Sequence, residues 1–95
     1  MSSTIPFDLD SAWRLDPQVA LRPEPFGALA YHFGTRRLSF LKSPVLLAIV
    51  KGLDERPSAR AACRAAGVSD EELVPYGRAL ATLADTGMIA PGVSS

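Results

Sequence analysis

The sequence predicts a small α+β domain in which a three-stranded antiparallel sheet is followed by three helices. Three observations carry that prediction. The chain has 95 residues, enough for one domain with a thin core. Its first half offers three short strand-like runs, "VALR", "GALAYHF" and "RLSFLK", separated by Pro and Gly. Its second half changes to helical spacing, with Ser43, Ser58 and Ser69 ahead of the apolar runs and Gly52, Gly67 and Gly87 behind them.

Residues 1–18 contain Pro6, Pro17 and several Asp, and read as an N-terminal arm whose Phe7, Leu9, Trp13 and Leu15 are available to dock on the body. A first strand is expected at about 19–22. It is interrupted by "RPEP", because proline removes a ladder donor. Strands at about 27–33 and 37–42 then form a hairpin. Setting Phe33 opposite Leu38 pairs Tyr31 with Phe40 and Leu29 with Lys42. Side chains alternate along a strand, so Leu29, Tyr31, Phe33, Leu38 and Phe40 share one face, which is expected to be buried. Ala28, Ala30, His32, Ser39 and Leu41 share the other.

The first helix is expected at about 44–53. Ser43 is a good N-cap, Pro44 suits the first helical position, and the run is apolar almost all round. A second, at about 59–66, has an i, i+3, i+4, i+7 stripe of Ala59, Ala62, Cys63 and Ala66. A third is expected within 70–86. Ser69 and Glu72 have capping-box spacing, and Pro75 requires either a separate first turn or a start near that proline. Met88 and Ile89 are free to run back along the core, and 92–95 form a tail.

Composition excludes several classes of function. Ten acidic and ten basic residues leave no bulk field to attract nucleic acid or anionic lipid. The longest apolar run, "VLLAIV", is far short of the ~20 residues that cross a bilayer. The N-terminus lacks a basic start and an apolar signal core. With one cysteine, Cys63, no internal disulfide forms, and a reducing cytoplasm is the expected location.

Catalytic chemistry is equally scarce. One His and one Cys fall short of the roughly four ligands of a structural zinc site, and no metal or cofactor is expected. Cys63 lies on an alanine stripe, where packing is its natural role. His32 lies mid-strand, suited to a solvated or capping role. The consecutive Asp70, Glu71 and Glu72 do not converge as a catalytic pair does. They complement the positive end of a helix instead.

Strands followed by a helix-turn-helix pair form a winged-helix-like skeleton, so a DNA-binding regulator is one reading. The would-be recognition helix argues against it, with Arg78 set against Asp70, Glu71, Glu72 and Asp85. The second reading is a peptide-binding module. If the sheet is a meander, 37–42 is an edge, and "LSFL" lacks the charges, prolines or bulges that usually close an edge. A third reading is a homodimer paired through that same edge.

The blocks "VALRPEPFGALAYHFGTRRLSFLKSPVLLAIVKGL" and "LATLADTGMIAP" resemble the PqqD-like family of peptide chaperones, or precursor-peptide recognition elements, and within it the mycofactocin branch. The resemblance spans about residues 12–91, and the first block is the more specific. It implies a non-enzymatic adaptor that binds the leader of a ribosomally made precursor peptide and presents it to a radical S-adenosylmethionine maturase. It also implies a leader lying beside the third strand and against the last helix. On this chain those positions are Arg37, Leu38, Ser39, Phe40 and Leu41 on the strand, with Tyr76, Leu80 and Leu83 on the helix. The expected partners are the peptide and the maturase, with no nucleic acid and no membrane, and the expected state is a monomer or a weak homodimer.

Overall fold

The computed structural model describes residues 7–92. Residues 1–6 of the expected arm and 93–95 of the expected tail lie outside the described residues. The architecture is α+β. A three-stranded antiparallel sheet of β2 (Val19–Glu24), β3 (Gly27–His32) and β4 (Leu38–Leu41), in that spatial order, precedes α1 (Pro44–Gly52), α2 (Ala59–Ala65) and α3 (Leu73–Asp85).

The segment read as an arm contains a strand, β1 (Trp13–Leu15). It pairs antiparallel with β5 (Ile89–Pro91) in a separate two-stranded sheet. Bonds from the Asp16 N–H to the Met88 carbonyl (3.0 Å) and from the Gly92 N–H to the Ala12 carbonyl (2.8 Å) extend this clasp at both ends. Trp13 is buried in the core, stacks near Phe7 and donates its indole N–H to the Asp8 carbonyl at 2.9 Å. The same segment serves α2, whose first-turn amides would otherwise be orphans. Ala59 N–H donates to the Ser11 carbonyl, and Arg60 N–H to the Leu9 carbonyl.

The helices start where the sequence marks them. Ser43 Oγ accepts from the amides of Val45 and Leu46, and Ser58 Oγ accepts from that of Ala61, each such cap stabilising its helix by about 1 kcal/mol. Ser69 and Glu72 do form the reciprocal box: the Ser69 N–H donates to the Glu72 carboxylate and the Glu72 N–H to the Ser69 hydroxyl. The box closes a turn ahead of α3. Pro75 therefore falls in the first helical turn, where its missing N–H breaks no intrahelical bond.

The hairpin differs from expectation in two ways. Tyr31 faces Leu38 and Leu29 faces Phe40, so the register is shifted by two residues from the one expected. The cause is a loop that turns one residue earlier, over 33–36 instead of 34–37. His32 N–H donates to the Arg37 carbonyl, Arg36 N–H donates back to the His32 carbonyl, and Arg36 takes a left-handed φ of 62°. The His32 imidazole fixes this loop, its Nδ1 accepting from the amides of Gly34 (3.0 Å) and Thr35 (3.1 Å).

A two-residue shift preserves which side chains share a face, but the buried face is the opposite one. Ala28, Ala30, His32 and Leu41 are buried, whereas Phe33, Leu38 and Phe40 are exposed. The reason is α1. Its Leu46, Ile49 and Val50 are buried, and it packs on β3, where Ala28 and Ala30 leave room for a bulky helix. Gly27 serves the same close packing. A Cβ there would lie 2.0 Å from the Leu41 carbonyl oxygen, and its φ of +148° suits glycine.

Candidate functional site

β4 is an edge strand with β3 on one side only. In an antiparallel ladder, residues alternately direct their N–H and C=O groups toward the partner strand and away from it. The His32-to-Arg37 bond fixes the phase, so Arg37, Ser39 and Leu41 face β3. Leu38, Phe40 and Lys42 therefore direct their backbone groups outward. Among the described residues no turn, cap or loop bond takes their amides.

Beside this edge runs an open groove of about 420 Å³. Leu38, Ser39, Phe40 and Lys42 form its strand wall. Ala79, Thr82 and Leu83 of α3 form the opposite wall, and Leu46 of α1 contributes from its first turn. Helical spacing puts the α3 residues there, since positions three and four apart lie on one side of a helix. At the Lys42 end the Tyr76 hydroxyl lies 3.4 Å from Ser43 Oγ, tying α3 to the β4–α1 corner.

The residues expected at the site thus separate into groups. Leu38, Ser39, Phe40 and Leu83 line the groove. Leu41 and Leu80 are core residues, 1% and 0% exposed. Tyr76 adjoins the groove through Ser43. Arg37 is exposed, but its backbone is already engaged: its carbonyl accepts from His32 and its amide donates to Thr35 Oγ1 at 3.3 Å. That leaves its side chain as the group it has to offer. Lys42, Leu46, Ala79 and Thr82 were missed. Lys42 follows from strand alternation once the register is known. Ala79 follows from its four-residue spacing to Leu83, and Thr82 from its three-residue spacing to Ala79.

Electrostatically the groove mouth is basic. Arg37 and Lys42 bracket the strand, with Arg36 in the adjoining loop, and none of the three makes an ion pair among the described residues. A second depression of about 450 Å³ lies between the N-terminal segment, α2 and α3. Two of its cations are already paired, Arg60 with Asp10 at 2.7 Å and Arg64 with Asp70 at 2.9 Å. The Arg60 guanidinium holds the Asp10 carboxyl below its ordinary range. Burial pushes the Cys63 thiol up, which keeps it protonated and poorly nucleophilic. Among the described residues no group of three or more His, Cys, Asp or Glu is placed to hold a metal ion. No helix of the described residues is long and apolar enough to cross a membrane.

A groove with the open edge of a strand on one wall and a helix on the other fits an extended peptide, and comparison with known proteins points the same way. The family described as peptide chaperone MftB matches residues 12–90. The chain belongs to the peptide chaperone MftB family. It is 60% identical over 85 residues to the peptide chaperone MftB of Mycobacterium ulcerans (strain Agy99), an alignment covering 90% of this chain and 78% of the relative. The peptide chaperone MftB of Mycobacterium tuberculosis (strain ATCC 25618 / H37Rv) is 59% identical over the same shares of the two chains. That of Mycolicibacterium smegmatis (strain ATCC 700084 / mc(2)155) is 52% identical over 92 residues, 97% of this chain and 90% of the relative. No solved structure matches the chain.

Membership in the peptide chaperone MftB family carries a chaperone role without catalysis, as the sequence led one to expect. It also favours the peptide reading of the skeleton over the DNA-binding one. The matched segment takes in β1, the hairpin, all three helices and part of β5.

Proposed function

We propose that this chain binds the leader of a ribosomally made precursor peptide as an added strand along β4. It then delivers that peptide to a radical S-adenosylmethionine maturase in mycofactocin biosynthesis. The observation that carries the proposal is the phase of the β4 ladder. Leu38, Phe40 and Lys42 direct unspent backbone groups over an apolar groove. Each backbone hydrogen bond to an added strand contributes a net ~0.5–1.5 kcal/mol, and side chains in the groove contribute the selectivity.

Along the incoming strand, alternate residues point toward α3 and away from it. Those facing α3 meet Leu46, Ala79 and Leu83, so they are apolar and of moderate size. The ends of the segment pass Arg37 and Lys42, which suits acidic flanks. Maturation chemistry belongs to the partner enzyme, because this chain has a single cysteine and it is buried. Calorimetric titration with the precursor peptide tests the proposal. Saturable one-to-one binding is expected, with no change in the peptide's mass when this chain alone is present. Absence of heat up to high micromolar peptide would sink it. Salt-sensitive binding to a short DNA duplex would instead revive the regulator reading.

A further inference from the structure

The outward face of the three-stranded sheet carries a second apolar surface. Leu29, Tyr31, Phe33, Leu38 and Phe40 share it, and Phe26 folds onto it from the β2–β3 turn, its ring 6.2 Å from that of Phe40. Phe26, Phe33, Leu38 and Phe40 are 43%, 61%, 52% and 56% exposed. Four of the chain's seven aromatic residues lie here. At those exposures Phe26, Phe33, Leu38 and Phe40 together present on the order of 500 Å² of apolar surface, the upper part of the range for a monomer and over half of one side of a standard interface. No element among the described residues covers the face, since the helices pack on the other.

We propose that this face is the surface on which the peptide-modifying enzyme docks, through an apolar patch bordered by carboxylates. The inference rests on the peptide-binding reading above. Charge selects the occupant. Arg36 borders the face with no ion pair among the described residues and, unlike Arg37 and Lys42, is not taken by the flanks of the bound peptide, so it calls for an acidic group opposite. A second copy paired edge to edge through β4 does not supply one. Pairing two β4 edges with Leu38 opposite Phe40 brings Lys42 of each copy to the Arg36 end of the other, like charge against like.

Continuity with the groove connects the face to the peptide. Leu38 and Phe40 both line the groove and stand on the outer face. A strand added at β4 extends the sheet, and every second side chain of that strand joins the outer face. A protein covering the face therefore touches the bound peptide as well. Where that contact is favourable, enzyme and peptide strengthen each other's binding by the same factor.

The test uses the full chain, its precursor peptide and the purified radical S-adenosylmethionine maturase. Phe33→Asp and Phe33→Ser alter the face at an exposed position outside the groove lining. Enzyme affinity should fall tenfold or more for Phe33→Asp and less for Phe33→Ser, with peptide affinity within twofold of wild type for both. In wild type, saturating peptide should raise enzyme affinity several-fold. Enzyme affinity unchanged by Phe33→Asp overturns the proposal, as does failure of the wild type to bind the enzyme at all. A wild-type dimer in sedimentation that Phe33→Asp dissolves also overturns it, because the occupant is then a second copy. The peptide titration is read separately, so failure of the leader-binding reading is seen on its own.

Discussion

The two outer edges of the three-stranded sheet belong to strands of different composition, and only one is available for pairing. On β2 the outward positions are Val19, Leu21 and Pro23, given the bond from the Phe33 N–H to the Gln18 carbonyl. The Val19 amide is spent on the Asp16 carbonyl at 2.9 Å, and Pro23 has no amide. Only Leu21 keeps an outward donor. An Arg22–Glu24 ion pair at 3.1 Å adds charge along the same strand. On β4 all three outward positions, Leu38, Phe40 and Lys42, keep their groups, and a groove lies beside them. Proline and a spent amide close one edge, as natural sheets usually require. The other is left open where a ligand has a wall to lean on.

The comparison breaks most directly if the β2 device is copied onto β4. Phe40→Pro removes an outward amide without removing a β3–β4 ladder bond. It should weaken peptide binding by up to about tenfold more than Phe40→Ala, which keeps the amide and loses the ring. Titration of both variants, with circular dichroism as a check on folding, measures that difference. Ala79→Phe tests the groove instead of the edge. A ring at that position fills the space between β4 and α3, and peptide affinity should fall about tenfold at an unchanged melting temperature.

Smaller effects sharpen the contrast. Lys42→Glu and Arg37→Glu should each weaken peptide binding by roughly two- to fivefold at low salt, with the difference shrinking as salt rises. Pro23→Ala restores a donor to β2. It should leave peptide affinity unchanged and add weak self-association, visible by sedimentation at high concentration. The smallest effect lies away from both edges. Arg60 lowers the Asp10 pKa in the folded state from its ordinary 3.8, so the pair favours folding above that value and the contribution is lost as pH falls through the lowered one. Asp10→Asn should slightly reduce the loss of stability on acidification and leave peptide binding unchanged.

Much of the fold was legible because its signals are local. Ser43, Pro44 and Ser58 mark helix starts through bonds made within three residues, and the Ser69–Glu72 box does the same. The bareness of "LSFL" as an edge was legible for the same reason. What escaped was tertiary. β1 and β5 are three residues each and meet from opposite ends of the chain, so neither carries a periodic signal. The hairpin register depends on a histidine ring holding two loop amides. The buried face was inverted because apolar bulk pointed to Leu29, Tyr31, Phe33, Leu38 and Phe40, whereas α1 needs the small side of β3. At the site, Leu38, Ser39, Phe40 and Leu83 were legible as one wall and its opposite. Lys42, Leu46, Ala79 and Thr82 required the register and the seat of α1.

Amide hydrogen exchange, measured residue by residue with and without precursor peptide, tests the open edge most directly. An added strand at β4 converts the outward amides of Leu38, Phe40 and Lys42 from solvent-exposed to hydrogen-bonded donors. Those three should slow strongly on binding, while the Leu21 amide on the closed edge keeps its rate. A peptide that binds and leaves the β4 amides unchanged, or slows Leu21 in their place, would contradict the assignment of β4 as the strand that receives it.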